Sequence, residues 1–286
     1  MSFTIRDLKN YDEMVALRHL QREIWGLTEP DVGLYPSLLT SVAKNGGVVL
    51  GAFDDETGHM IAFLFGFLGR EPGGPLKHCS QTMGVHPAWR RQGVAEALKQ
   101  TQRERILAQG LSLITWTYDP LEGPNAYLNL RKLGAVSRTY WRDIYGSNFG
   151  ALNVGLPTDR LVVEWWIKGD RLKNKPVTSA AGPQTAQPVF EIEGAGLTRR
   201  IIHSNLDLDA PFLELEMVAD IHPVKAADMS LALDWRLKIR TTFEHYFSKG
   251  YLTVDFSSTV EQGERRNRYL LQKITPELLA EIGIEA

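Results

Sequence analysis

Met83-Gly84-Val85-His86-Pro87-Ala88-Trp89-Arg90-Arg91-Gln92-Gly93-Val94-Ala95 is the stretch whose reading decides the fold. It reads as the end of a strand, a tight turn and the first turn of a helix. Two arginines sit at that helix start, where a positive charge opposes the helix macrodipole. A chain that places cations there, beside a glycine, is arranged for an anion. The free N–H groups of a helix N-terminus bind phosphate, and glycine lets a ligand approach the backbone closely. The plainer reading of the same residues is an ordinary helix start with two solvated arginines.

Outward from that stretch the pattern is regular. Upstream, residues 3–8 alternate like a strand. Residues 11–25 carry Met14, Leu17, Leu20 and Ile24 near a 3.6 period, and Gly26 ends that helix. Residues 34–44 read as a second helix, and 48–53 and 60–68 as strands joined by Asp54-Asp55-Glu56-Thr57-Gly58. Residues 77–85 form the strand that feeds the arginine–glycine turn. Downstream, a helix carries Val94, Ala97, Leu98 and Thr101 on one face and stops at Gly110. A β-branched and aromatic strand over 111–118, a helix over 124–133, and strands over 136–145 and 161–167 follow. The order is β-α-α-β-β-β-α-β-α-β-β.

Composition bounds the function. The 286 residues are 43% hydrophobic and 23% charged, which is globular and water-soluble usage. A formal net charge of −2 gives the whole molecule no electrostatic footprint for nucleic acid. A single cysteine, Cys79, forms neither an internal disulfide nor a cysteine-based metal site, and no metal is expected. The first residues lack an apolar signal core, and the most apolar run, 60–69, is too short to span a bilayer. A cytoplasmic protein without membrane attachment is the expectation, with a homo-oligomer left open.

Residues 168–188 read as a linker, with Gly169, Pro176, Gly182, Pro183 and Pro188 among small polar residues. Beyond it lies a smaller α+β segment. Strands are expected over 190–193, 198–203 and 212–218. One long helix after His222-Pro223 carries Leu231, Trp235, Ile239, Phe243 and Tyr246 on a stripe, and a hairpin over 251–256 and 267–272 follows.

The deciding stretch resembles the acyl-CoA-binding motif of the GNAT superfamily of N-acyltransferases, Arg/Gln-x-x-Gly-x-Gly/Ala. Arg90, Gly93 and Ala95 match it, and Val85-His86-Pro87 matches the strand-end Val-x-Pro. The element order is also that family's order, and the resemblance covers roughly residues 1–168. It implies an α/β fold whose mixed sheet splays between its fourth and fifth strands, with the pantetheine arm of CoA in the opening. It implies that Met83, Gly84, Val85, Arg90, Arg91, Gln92, Gly93, Val94 and Ala95 hold the cofactor, joined by Asn125 from the later helix. The domains expected are a GNAT core over 1–168, the linker 169–188, and an α+β accessory domain over 189–286 that is alternatively a degenerate GNAT-like half. Residues 116–120 and 152–161 resemble a GNAT subfamily with such an extension.

Acyl transfer from a thioester to an amine needs a neutral amine, a polarised carbonyl and a proton for the leaving thiolate. No residue of the fourth strand, 77–83, is acidic. His78 is a candidate base on it, or a surface histidine at a strand end. Cys79 reads as a packing residue rather than a nucleophile. In the helix over 124–133, alignment on Leu133-Gly134 puts Leu130 where the family's tyrosine acid stands and Ala126 on the family's alanine. Tyr127 is then the candidate acid, or a packing residue. Asp119 is a candidate base or ammonium ligand, or simply an Asp-Pro turn residue. Arg160 is a candidate clamp for a substrate carboxylate, or a structural ion pair. The expected activity is acyl transfer, acetyl or alternatively succinyl, from acyl-CoA to the primary amine of a small molecule such as an amino acid, by direct attack. The rivals are a protein or aminoglycoside acetyltransferase and a non-catalytic CoA-binding regulatory module.

Overall fold

The computed structural model describes residues 2–27, 33–71, 73–146, 155–172 and 185–284. Two compact units divide the chain, Met1–Trp116 and Thr117–Ala286.

The first unit opens with strand β1 (Phe3–Asp7) and helix α1 (Tyr11–Trp25). A reciprocal capping box starts α1: Asn10 accepts from the Glu13 N–H while Glu13 reaches back to the Asn10 N–H. Gly26, at φ 62, closes it. Helix α2 (Pro36–Lys44), strands β2 (Val48–Asp54), β3 (Met60–Arg70) and β4 (Leu76–Val85), helix α3 (Val94–Ala108) and strand β5 (Leu113–Tyr118) follow. The last two residues of β5 belong to the second unit. Strands β1 to β4 form antiparallel neighbours in chain order, and β5 joins β4 in parallel. Leu17, Leu39, Val49, Phe63 and Phe65 build the core under α1 and α2. Strand period then turns Leu50 and Leu64 to the opposite face, where α3 packs.

Two irregularities shape this sheet. A bulge in β4 places Gln81 between the pairs Phe65↔Thr82 and Gly66↔Ser80. The β4–β5 ladder consists of His78↔Ile114 and Cys79↔Thr115, and pairing stops beyond them. Both strands run on past that point, so the sheet parts toward their carboxyl ends, as the resemblance implies.

The second unit begins with a short α-helical turn, α4 (Gly123–Ala126), that passes into a π-helix over Tyr127–Lys132. Its strands are β6 (Val136–Trp141), β7 (Arg160–Trp166), β8 (Gln187–Pro188), β9 (Phe190–Glu193), β10 (Arg200–Ser204), β11 (Phe212–Met217), β12 (Tyr251–Glu261) and β13 (Glu264–Lys273). Helices α5 (Ile221–Ala227) and α6 (Met229–Ser248) precede β12, and α7 (Pro276–Ile282) follows β13. Its larger sheet runs β7-β6-β12-β13-β11-β8, with β9 and β10 as a separate ribbon. Phe243 of α6 stands against Tyr140 at 6.0 Å and against Tyr269 at 5.2 Å between ring centroids.

Three sequence expectations change here. Residue 168 is not where the compact units part, because Thr253 of β12 pairs with Ser137 of β6, and the later strands share one sheet with 136–166. Residues 173–184 of the expected linker, and 152–154, lie outside the described residues. The single long helix is two, broken at Asp228 (φ −151), whose carboxylate caps the second at the Leu231 N–H, 3.0 Å away. The hairpin is longer than expected and turns on Gln262-Gly263, both at positive φ, the geometry of a two-residue turn. Among the described residues no helix is long and apolar enough to cross a membrane.

Gly66 of β3 is tightly packed. A Cβ there would run into the His78 imidazole and the Cys79 carbonyl. Overpacking a tight core costs about 1–3 kcal/mol. Gly66→Ala is therefore expected to lose stability of that order in urea denaturation. An unshifted midpoint would mean that His78 does not lie over β3.

Candidate functional site

The loop after β4 is built to present backbone N–H groups. Trp89 anchors it, 9% exposed and edge-on to Phe3 at 6.4 Å. The Arg90 Nε donates to the Val85 carbonyl at 3.3 Å, and the Gln92 amide donates to the Ala88 carbonyl at 2.8 Å. Arg91 and Gly93 both adopt positive φ, 64 and 82. Turns of this kind gather N–H groups into an anion-binding concavity. No side chain caps α3, so its first N–H groups keep no partner from the helix. Nothing lies within 4 Å of a Cβ built on Gly93, and residues 90–93 are exposed. Donors, space and two cations thus meet in one place, which fits a diphosphate.

Where β4 and β5 part, a lysine fills the α3 side. Lys99 is 2% exposed. Its Nζ donates to the Ser80 hydroxyl at 2.8 Å and to the Gln102 side-chain oxygen at 3.4 Å, and lies 3.6 Å from the centre of the Trp116 ring. Ser80 and Trp116 each come just after the last β4–β5 pairs. Among the described residues no carboxylate forms an ion pair with Lys99, and burial drives its pKa well below the usual lysine value. His78 shares this face, fully buried, with neither ring nitrogen partnered. Burial, and then the charge of Lys99, pull its pKa down to about 4. His78 is thus a neutral core residue out of reach of solvent, which corrects both sequence readings, the base and the surface histidine. Cys79 packs on the other face over Gly69, its sulfur 4.0 Å from the Thr115 hydroxyl.

A second polar cluster lies within Thr117–Ala286. Asp119 meets the Arg236 Nη2 at 2.5 Å and the Arg160 Nη1 at 3.6 Å, while its other oxygen accepts from the Leu121 N–H. The turn reading of Asp119 therefore holds together with an ion pair. Asp159, fully buried, is held bidentately by Arg240 at 2.7 and 2.8 Å and accepts from Tyr140 at 2.7 Å. Burial opposes its charge, but those hydrogen bonds keep its pKa below the ordinary carboxylate value. Burial likewise opposes the charge of Arg236, and Asp119 overcomes it. Arg236 is 1% exposed, yet its Nε and Nη1 have no partner among the described residues. Three guanidinium groups, of Arg160, Arg236 and Arg240, thus face two carboxylates.

The helix expected to carry an acid departs from α-helical winding. Tyr127 opens the π-helix, 37% exposed. Asn125 is exposed, and Leu130 is 2% exposed. The wide turn rotates residues before it relative to α-helical counting from Gly134. The spacing that set Leu130 on the acid position does not carry through.

Met83, Gly84, Val85 and the run from Arg90 to Ala95 are brought together on β4, the loop and the start of α3. His78 and Lys99 sit at the parting of β4 and β5, whereas Asp119, Asn125 and Tyr127 belong to the second unit. Sequence reasoning missed Lys99, Gln102 and Arg236. The signal was present: 94, 98, 102 and 106 share the buried stripe of α3, with 99 beside it, and 235, 236, 239 and 243 share that of α6.

No family model and no curated protein matches the chain. In part it is similar to the ribosomal-protein-S18-alanine N-acetyltransferase from Escherichia coli, at 16% identity over 57% of this chain and 92% of that one, with a TM-score of 0.44. It is similar to an N-acetyltransferase from Staphylococcus aureus at 14% identity over 59% and 100%, with a TM-score of 0.46. A third is the GNAT superfamily phosphinothricin acetyltransferase from Sinorhizobium meliloti in complex with AcCoA, at 16% over 57% and 88%, with a TM-score of 0.45.

The lysine carries a stability consequence. The fold holds a proton on Lys99 less readily than the unfolded chain does, so this group makes stability rise with pH. Replacing buried charge by packed apolar groups ranges from neutral to stabilising by about 1–4 kcal/mol. Lys99→Met is expected to raise the neutral-pH unfolding midpoint. That gain should shrink as pH climbs toward the ordinary lysine value. A destabilised variant with an unchanged pH slope would contradict the lowered pKa of Lys99.

Proposed function

We propose that this chain is an acyl-CoA-dependent N-acyltransferase that acylates the primary amine of a small molecule such as an amino acid. The observation that carries this is the Arg90–Gly93 loop at the carboxyl end of β4, which itself parts from β5 after two residue pairs. An anion seat at the head of an opened parallel pair suits a diphosphate joined to an extended arm. When bound, the acyl-CoA supplies an activated thioester. This chain's own contribution is to hold and to move protons.

Arg91, Gly93 and Val94 offer N–H groups to the diphosphate, and Arg90 and Arg91 offset its charge. Tyr127, half exposed, is the phenol available to protonate a leaving thiolate. Direct attack needs no acyl-enzyme, and Cys79 packs against Gly69 as a small apolar residue. The donor is acetyl, or alternatively succinyl. The setting is a reducing cytoplasm, in keeping with a single cysteine.

Two substitutions at one glycine separate phosphate binding from backbone strain. Gly93→Ala meets no neighbour and bears only the positive φ, at about 1 kcal/mol. Gly93→Glu adds a carboxylate where the diphosphate would lie. Calorimetry with CoA is expected to show modest weakening for the alanine and no measurable binding for the glutamate, with native circular dichroism for both. Equal affinity in folded Gly93→Glu would remove the anion seat.

A further inference from the structure

A buried lysine bonded to a serine hydroxyl lies where β4 and β5 separate, and it has no part in the acyl transfer described above. The Lys99 Nζ is 2.8 Å from the Ser80 Oγ. The two residues are 2% and 5% exposed. The Gln102 side-chain oxygen, 3.4 Å away, and the face of Trp116, 3.6 Å away at the ring centre, hold the amine in place. Among the described residues no carboxylate forms an ion pair with it. Burial lowers the Lys99 pKa, which raises the share of this lysine that carries a lone pair. The Ser80 hydroxyl, free to rotate, then donates to Nζ in place of accepting from it. A hydroxyl within hydrogen-bond reach of a base that a third group orients is an activated nucleophile.

Ser80 also stands where the reactive end of the donor would lie. It is the first β4 residue beyond the last pair, Cys79↔Thr115, so it borders the closed end of the opening. The Arg90–Gly93 loop lies at the other end, past Val85. From Ser80 to Val85 the strand covers about 17 Å at the usual rise. A ligand seated by its diphosphate at the loop and extended in the opening therefore brings its far end, the thioester, toward Ser80. Strand period turns Cys79 to the opposite face, over Gly69, so the hydroxyl and not the thiol meets the base. Beyond Cys79 the β4 N–H groups that would continue the ladder have no β5 partner, and donors of that kind suit a developing oxyanion. All of these residues, the loop included, belong to Met1–Trp116.

We propose that Ser80 and Lys99 form a nucleophile–base dyad that gives this chain a second activity, hydrolysis of acyl-CoA through an acyl-serine when no amine is bound. The proposal rests on the acyl-transfer reading above, which supplies the thioester. The Ser80 Oγ bonds to the thioester carbon as its proton passes to the Lys99 Nζ. The C–S bond breaks with its electron pair on sulfur, and the Lys99 ammonium gives its proton to the thiolate. Water then bonds to the ester carbon and passes a proton to Nζ. The C–Oγ bond breaks with its pair on Oγ, which takes that proton back. One acyl-CoA and one water thus give one carboxylic acid and one free thiol. Direct attack by an amine bypasses the ester, so acceptor and Ser80 compete for one carbonyl.

The test uses the full chain with acetyl-CoA and no amine, read as thiol release, acid-quenched intact mass and CoA calorimetry. The parent is expected to release thiol faster than acetyl-CoA does in buffer, and any trapped acetyl group should map to Ser80. Ser80→Ala should remove that release. Lys99→Met, expected above to be the more stable fold, should lose about a hundredfold of it. Both variants should bind CoA as the parent does. A parent that binds CoA yet releases no thiol beyond the buffer rate overturns the dyad. So does release that persists in Ser80→Ala, or at the parental rate in Lys99→Met, and so does an acetyl group carried by Lys99 itself. A parent that binds no CoA overturns instead the acyl-transfer reading on which the proposal rests.

Discussion

The early parting of β4 from β5 is the constraint on which the rest of the first unit depends. Two parallel strands that share a sheet normally pair along their common length. Here the ladder ends after His78↔Ile114 and Cys79↔Thr115, while β4 continues to Val85 and β5 to Tyr118. Unpaired strand edges carry unmet donors and acceptors, and a fold that opens its sheet must occupy them. The bulge at Gln81 accompanies the separation on the β4 side. On the α3 face, Lys99 bridges the two strands by bonding Ser80 and lying on Trp116. A lysine with no carboxylate opposite is a costly filler, and its neighbour His78 is buried without a hydrogen bond. The local rules are broken together, at one place, and that place adjoins the loop with two positive-φ residues. Such clustering is what functional sites show when they hold strain that the surroundings over-determine.

The second unit spends its buried charge differently. Asp119, Asp159, Arg160, Arg236 and Arg240 belong to a turn, a strand and a helix far apart in sequence. Burying such groups gains little stability over apolar packing, but removing one partner strands the other. The network therefore ties β7 and α6 to the turn after β5 with directional bonds, within one unit. Tyr118 donates to Tyr269, and Tyr269 to the Pro120 carbonyl, which fixes the same turn from β13. The segment after β5 is thus held by residues that arrive more than a hundred positions later.

That dependence explains what the sequence disclosed and what it did not. The strand–turn–helix around Gly93 was legible because anion loops use local chemistry: a glycine, two arginines and a helix start within six residues. Helix α1 was legible from its period, and Gly26 and Gly134 adopt the left-handed conformation that ends helices. The boundary near 168 was misleading because Gly and Pro composition reports local chain stiffness and not strand partners. Ser137 pairs with Thr253, a non-local choice that no window reveals. The roles of Asp119 and His78 were obscured for a related reason. A carboxylate in a cleft and a carboxylate in an ion pair have the same letter, and only Arg236, on a distant helix, separates them.

The π-helix over Tyr127–Lys132 shows how a motif comparison fails on geometry and not on composition. Matching Leu130 to an acid position assumes that residues four apart stack one turn above another. In this helix the Leu133 N–H reaches the Leu128 carbonyl and the Ala135 N–H reaches the Asn129 carbonyl, so the turn holds an extra residue. Residues on its N-terminal side are rotated about the axis relative to Gly134. Leu130 faces the core for that reason, and its apolar character is a packing requirement at 2% exposure. A leucine there is silent about catalysis, because the position it was compared with does not exist on this helix. On the proposed acyl-transfer reading, Tyr127, exposed at the first residue of the widened turn, is the phenol this helix offers.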